Sequence, residues 1–239
     1  SFGVGRKIGV DLPNELKGLV PTTDFYDHYY GKGGWKASTI YSLGIGQGEL
    51  GVTPLQMANI VCSIANKGYY YIPHLVRKIG GQPNKTRHLN EKQKTMIDSS
   101  HFEVVHAGMQ LVVEAGTARI AKFGEMNICG KTGTAQNPHG KDHSLFVAFA
   151  PRENPKIAIA IMVENAGWGA DWAAPIASLM MEQYLTDTIT RPALYDRMIK
   201  GNLLPAKQSS KDKKEDPDND SASGNSVNNR VAILNKNLQ

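Results

Sequence analysis

Three runs of strand-forming residues, 126–132, 144–150 and 156–163, crowd together in the chain. The link between the last two decides how they pair. Pro151-Arg152-Glu153-Asn154-Pro155 is too short for a crossover helix, so these strands must run antiparallel. The third run, Lys156 to Val163, is continuously apolar and β-branched, which predicts a central strand. Helical patterns stand on both sides of the trio. The predicted fold class is therefore α+β, an antiparallel β-sheet flanked by helices.

The helix signals are local. Thr53 as N-cap, Pro54 at the first helical position and Gln56 three residues on predict a capping box. Leu55, Ala58, Ile60, Val61, Ile64 and Ala65 then form an apolar face, Gly68 ends the helix, and Tyr69–Ile72 reads as a strand broken at Pro73. Asn90 with Gln93 predicts a capped short helix. Ser100 with Glu103 predicts another, running through Val104, Val105, Met109, Val112 and Val113 and ending at Ala115-Gly116-Thr117. Asp171 is the expected cap of a last helix, with Pro175 in its first turn and Ile176, Leu179, Met180, Tyr184 and Leu185 facing the core.

Residues 1–35, rich in Gly, Pro and aromatics, read as an extended, loop-rich segment wrapping a core formed elsewhere. The Gly-rich stretch Ser38–Gly51 has neither a Walker lysine nor a dinucleotide spacing, so no nucleotide site is expected. Residues 1–204 make up the folded part. Residues 205–239 are polar and low in complexity and are expected to be a disordered tail.

The net charge of +5 is mild, and no Lys/Arg stripe is interleaved with aromatics, which argues against nucleic-acid binding. Cys62 and Cys129 have no metal-ligand spacing and read as small buried side chains. His139, Asp142 and His143 read as a solvated hairpin loop rather than a metal site, with His143 shaping a cleft where the loop enters the second strand. Trp168, between Gly167 and Gly169, either walls a substrate groove or caps the core. No cofactor and no metal are expected.

The stretch that carries chemistry is Lys131-Thr132-Gly133-Thr134. A substrate carboxylate needs a fixed cation and hydroxyl donors, which Lys131, Thr132 and Thr134 are expected to supply from one strand face or its turn. Gly133 lets a substrate backbone approach closely, and the Thr134 N–H is placed to serve as one arm of an oxyanion hole.

Lys-Thr-Gly is a signature of penicillin-binding proteins and serine β-lactamases. With it come Phe2-Gly3-Val4-Gly5, Gly9-Val10-Asp11-Leu12-Pro13, Gly44-Ile45-Gly46-Gln47-Gly48, Thr53-Pro54-Leu55-Gln56-Met57-Ala58, Gly116-Thr117-Ala118 and Asp142-His143 leading into Phe146–Pro151. In this order they resemble the C-terminal part of the class B penicillin-binding protein transpeptidase domain, the penicillin-binding protein 2 group in particular. The resemblance covers roughly residues 1–190. It implies the penicillin-binding protein/serine β-lactamase-like fold, here incomplete. It also implies a D,D-transpeptidase that cross-links peptidoglycan stem peptides through a serine acyl-enzyme, is acylated by β-lactams, and works in the cell envelope from a membrane-anchored parent beside a glycan polymerase. Lys131 would polarise the serine site, Thr132 and Thr134 would bind the terminal carboxylate, and the Thr134 N–H would complete the oxyanion hole.

The family's Ser-x-x-Lys and Ser-x-Asn motifs normally precede the region where this chain begins. Ser210-Lys211-Asp212-Lys213, Ser223-Gly224-Asn225 and Ser226-Val227-Asn228 match the spacing but lie in the polar tail. A catalytic serine needs a rigid scaffold and a desolvated lysine, so these are chance matches and the chain is expected to be inactive alone. Two other readings stay open: a β-lactamase or β-lactam sensor, and a non-catalytic penicillin-binding-like module.

Overall fold

The computed structural model describes residues 1–203; the tail and its three serine motifs lie outside them. In chain order the elements are α1 (Thr23–Tyr30), a 3₁₀ helix (Ala37–Ile45), α2 (Pro54–Ala65), β1 (Tyr69–Tyr70), β2 (Lys78–Ile79), β3 (Gln82–Pro83) and α3 (Arg87–Asn90). There follow β4 (Gln93–Lys94), α4 (Phe102–Glu114), β5 (Cys129–Ala135), β6 (His143–Ala150), β7 (Ile157–Val163), α5 (Ala173–Thr186) and α6 (Pro192–Lys200).

The main sheet is antiparallel in the order β5-β6-β7, with Gly133 opposite Leu145 and Ala150 opposite Ile157. The short prolyl turn pairs β6 with β7 as expected, but the central strand is β6, not the apolar third run. The composition of β7 reflects cover on both faces, which an edge strand of a sandwiched sheet needs as much as a central one. On one face α2 brings Val61, Ile64 and Ala65 against Cys129, Val147, Phe149 and Ala158. On the other, Val113 and α5 pack over Phe146, Ala148, Ala150 and Ile159.

The capping box of α2 forms as read: Gln56 N–H donates to Thr53 Oγ1 and Thr53 N–H to Gln56 Oε1, both at 3.1 Å. The same Gln56 amide donates to the carbonyls of Gly3, Arg6 and Lys17, and Asn59 Nδ2 to that of Phe2. These buried amides satisfy loop carbonyls that no strand or helix pairs, and they hold the N-terminal segment on the fold. That segment is mostly loop, but it contains α1, whose N-cap Thr22 accepts from Phe25 N–H. The helix sits in an aromatic group in which Tyr26 and Tyr30 both donate to Glu49.

Several local expectations give way to other contacts. Asn90 ends α3 rather than capping a helix, because its side chain donates back to Asn84 and Thr86 carbonyls. Ser100 and Glu103 form no capping box: Asp98 caps the preceding turn, while Glu103 binds Lys67 and Arg152 at 2.9 and 2.6 Å. The buried face of α4 is Phe102, His106, Met109 and Val113, and Val104 is 77% exposed. Asp171 does not cap α5; the Ala173 N–H donates instead to Ser144 Oγ on β6, at 3.1 Å. The α5 face against the sheet is Ala173, Ala174, Ala177 and Met181, small residues that allow close approach, so Met180 and Tyr184 point outward.

Candidate functional site

β5 carries the Lys-Thr-Gly-Thr stretch wholly within the strand, three residues further on than the 126–132 run. Strand side chains alternate between faces, and here the alternation divides the site. Thr132 and Thr134 lie on the α5 face with Phe146 and Ser144 opposite them in register, while Lys131 lies on the α2 face opposite Val147. The expectation that one strand face supplies all three is therefore corrected. Lys131 meets the threonine side only by folding over the open edge of β5, where its Nζ donates to the Thr132 carbonyl at 2.8 Å.

The close packing around the strand explains two of its glycines. A Cβ on Gly130 would fall 2.5 Å from Phe146 Cζ, and one on Gly133 would fall 3.2 Å from Leu145 Cβ. Gly169, on the turn leaving β7, is equally constrained, since a Cβ there would lie 2.3 Å from the Leu145 carbonyl and 2.6 Å from that of Gly133. The turn is thus laid directly on the strand.

Between turn and strand lies a cleft of about 390 Å³ walled by Thr117, Thr132, Gly133, Thr134, Trp168 and Asp171. Trp168 is 72% exposed, so it walls the cleft rather than capping the core. Its carbonyl is held by Ser144 Oγ at 2.8 Å. The sequence reading assigned no role to Thr117, yet its hydroxyl lies 2.8 Å from that of Thr132, making three convergent hydroxyls in one cleft. Its position in Gly116-Thr117-Ala118, after the end of α4, was the signal available. The structure does not bring His143 to this cleft. Its Nδ1 accepts from Asn165 N–H at 3.0 Å, in a hairpin base where Asn137 also bonds Asp142 and Asn165.

On the other face, Lys131 borders an apolar groove of about 310 Å³ with Met57, Ile60, Ile64 and Met109. Behind the Thr117 wall, Arg191 donates to the Ile120 and Lys122 carbonyls and pairs with Glu182, which is 1% exposed. Burial pushes the Glu182 carboxyl up, but the Thr190 hydroxyl and N–H and the Arg191 guanidinium outweigh it and hold it below its usual value of 4.5. Burial pushes the Cys129 thiol up to about 12, which leaves it no nucleophile. Among the described residues no group of three or more His, Cys, Asp or Glu could hold a metal ion.

The chain matches known proteins over these same elements. The profile of the family described as the penicillin binding protein transpeptidase domain matches residues 1–182. Peptidoglycan D,D-transpeptidase MrdA of Haemophilus influenzae is 34% identical over 217 residues, 82% of this chain and 33% of that protein. The crystal structure of Pseudomonas aeruginosa PBP2 in complex with WCK 5153 superposes with a TM-score of 0.69 at 38% identity, over 78% of this chain and 41% of that one. A chain from a peptidoglycan synthase complex that coordinates polymerization and crosslinking superposes at 0.68 with 29% identity, over 79% of this chain and 32% of that one. The chain thus spans about a third of the length of the curated relatives it matches. The Lys-Thr-Gly-Thr strand, the antiparallel sheet between α2 and α5, and the profile match over 182 residues place this chain in the penicillin-binding protein transpeptidase family.

Proposed function

We propose that the chain is the sheet-bearing part of a peptidoglycan D,D-transpeptidase, and that the serine nucleophile is supplied by another segment of a longer parent. The observation that carries the reading is the cleft on β5, where the hydroxyls of Thr117, Thr132 and Thr134 converge beside the edge crossed by Lys131. Three hydroxyl donors beside a cation suit a peptide carboxylate. The terminal carboxylate of a D-Ala-D-Ala stem peptide rests on Thr132 and Thr134, and Lys131 polarises the serine. The serine oxygen bonds to the penultimate carbonyl carbon, the terminal D-Ala leaves as the free amino acid, and an amine of a neighbouring strand takes the acyl group. The Thr134 N–H stabilises the oxyanion. Trp168 bounds the substrate groove, and His143 acts through the hairpin rather than by contact.

β-Lactams acylate the same serine. The parent works on the outer side of the cytoplasmic membrane, next to a glycan polymerase; the similarity to a synthase-complex chain supports that pairing. Labelling with a fluorescent penicillin tests the reading. The chain alone is expected to stay unlabelled, a version extended upstream to label, and Lys131→Ala in the extended version to label more slowly. Stable labelling of the short chain would overturn the placement of the serine, and failure of both would leave the non-catalytic module.

A further inference from the structure

The charge of this protein is unevenly placed. Between His74 and Lys94 the sequence has Arg77, Lys78, Lys85, Arg87, Lys92 and Lys94 against Glu91 alone, a local excess equal to the +5 of the whole chain. The structure makes this stretch a projecting cationic surface. β2 and β3 pair through Ile79-Gly80-Gly81-Gln82, a tight turn whose two glycines have φ of 56° and 79°. Positive φ at both central positions matches the twist of the paired strands. Asn84 Nδ2 donates to the Val76 carbonyl, and Asn90 Nδ2 donates to the Asn84 and Thr86 carbonyls, which ties α3 to the hairpin base. Leu89 anchors the region inward, in a core with Ile8, Tyr70 and Ile72, and β4 pairs with β1.

Arg77, Lys78, Lys85, Lys92 and Lys94 are all exposed. Lys92 lies over the Tyr69 ring, 4.3 Å from its centre. Among the described residues Arg77, Lys78, Lys85 and Lys94 make no ion pair, although this protein pairs exposed lysines elsewhere, as Lys67 with Glu103. The acid at the hairpin base, Asp11, is already committed: its carboxylate accepts the Leu75 and Val76 N–H groups. None of the residues walling the Thr132 cleft belongs to this stretch.

A preformed hairpin bearing unpaired cations of one sign focuses attraction on a polyanion. We infer that residues 74–94 form an exosite for the substrate polymer itself, the acidic glycopeptide strand whose stem peptides carry repeated carboxylates. This deepens the transpeptidase reading and rests on it. The repeated charge of a strand engages several cations at once, so weak contacts add, and bound polymer raises the local concentration of stem peptides at the cleft.

The test is co-sedimentation of this chain with purified insoluble peptidoglycan, beside the same polymer after amidation of its carboxylates. Retention is expected on the native polymer and to fall steeply between low and physiological salt. Arg77→Glu/Lys78→Glu/Lys85→Glu is expected to weaken retention by about tenfold or more, and Lys156→Glu, at an exposed lysine outside both the cleft and this stretch, to leave it unchanged. Arg77→Gln/Lys78→Gln, which only removes charge, should show an intermediate loss and serves if the reversed variant does not fold. Equal retention by the amidated polymer, or by both variants, overturns the exosite. Retention on phosphatidylglycerol vesicles but not on peptidoglycan overturns the choice of partner. A chain that ignores the polymer, while its upstream-extended form still labels with penicillin, removes the exosite and leaves the transpeptidase reading standing.

Discussion

Arg191→Met is the perturbation whose cost the structure specifies best. Arg191 places Nε 3.0 Å from Glu182 Oε2, and its Nη2 lies 2.9 Å from the same oxygen. Its Nη1 reaches the Ile120 and Lys122 carbonyls at 3.2 and 3.3 Å, and its guanidinium lies over the Phe123 ring. Removing the guanidinium leaves Glu182 buried with only the Thr190 N–H and hydroxyl. Breaking a buried pair in this way costs about 3–5 kcal/mol. For a domain of this size that lowers the melting temperature by about 10 °C, read by circular dichroism on the chain at pH 7. The pH dependence carries the sign. In the parent chain Glu182 titrates below 4.5, so its contribution is present above 4.5 and is lost as pH falls through the lowered folded value. In the variant the unpaired carboxylate prefers its proton, so the gap between the two melting temperatures should narrow as pH falls toward 4. Glu182→Gln in the Arg191→Met background should recover part of the loss. A variant that melts within about 1 °C of the parent, or a gap that widens in acid, would refute a charge-paired buried carboxylate.

Other expectations follow from single contacts. Thr117→Val keeps the side-chain volume but removes the partner of the Thr132 hydroxyl; in the upstream-extended protein it should slow penicillin acylation about tenfold with melting unchanged, and Thr117→Ser should restore the rate. Gly169→Ala should destabilise by about 1–3 kcal/mol in thermal melting, because its Cβ would meet two carbonyl oxygens. Cys129, its thiol pushed up by burial, should resist iodoacetamide at pH 8 in the folded chain and react in guanidinium, as followed by mass spectrometry.

The parts legible in the sequence are those set by neighbours along the chain. Thr53, Pro54 and Gln56 hold within four residues everything a helix start needs, and the structure reproduces both bonds. The prolyl link between β6 and β7 is equally local. The faces of α4 and α5 were legible only in part, because both helices are apolar on more than one side and the choice falls to their neighbours. His106 is drawn inward on α4 because the Ile64 carbonyl of α2 meets its Nε2 at 2.7 Å, a partner 42 residues away. α5 turns its alanines inward because the sheet comes close, and Ser144 supplies the cap that Asp171 was expected to give. α1 escaped notice because its sequence, TDFYDHYY, is dominated by aromatic and aspartate residues of modest helix propensity, and Tyr26 reaches Glu49 to hold it. Within the site, Lys131, Thr132 and Thr134 were found by type and spacing, while Thr117 comes from another element fifteen residues upstream.

The alternation of β5 limits how any ligand can use the Lys-Thr-Gly-Thr stretch. A strand of period two cannot point a residue and its neighbour to the same side, so the lysine and the threonine hydroxyls serve opposite faces. They share only the edge, which has no strand partner among the described residues. On the proposed reading, a ligand that meets both lies along that edge, with its carboxylate toward Thr132 and Thr134 and its reacting carbonyl where Lys131 crosses. An extended peptide satisfies this geometry, because its own backbone can pair with the edge while its end group turns into the hydroxyl cleft. The lack of a side chain at Gly133 keeps that approach clear, and Gly169 brings the Trp168 turn down onto the strand so that the cleft closes on one side only. A side chain at Gly133 would stand on the Lys131 face beside the edge, its Cβ 3.2 Å from Leu145 Cβ, and should crowd that approach without touching a hydroxyl. In the extended protein, Gly133→Val is expected to abolish penicillin labelling; labelling at the parent rate would mean that the ligand approaches from a face and not along the edge.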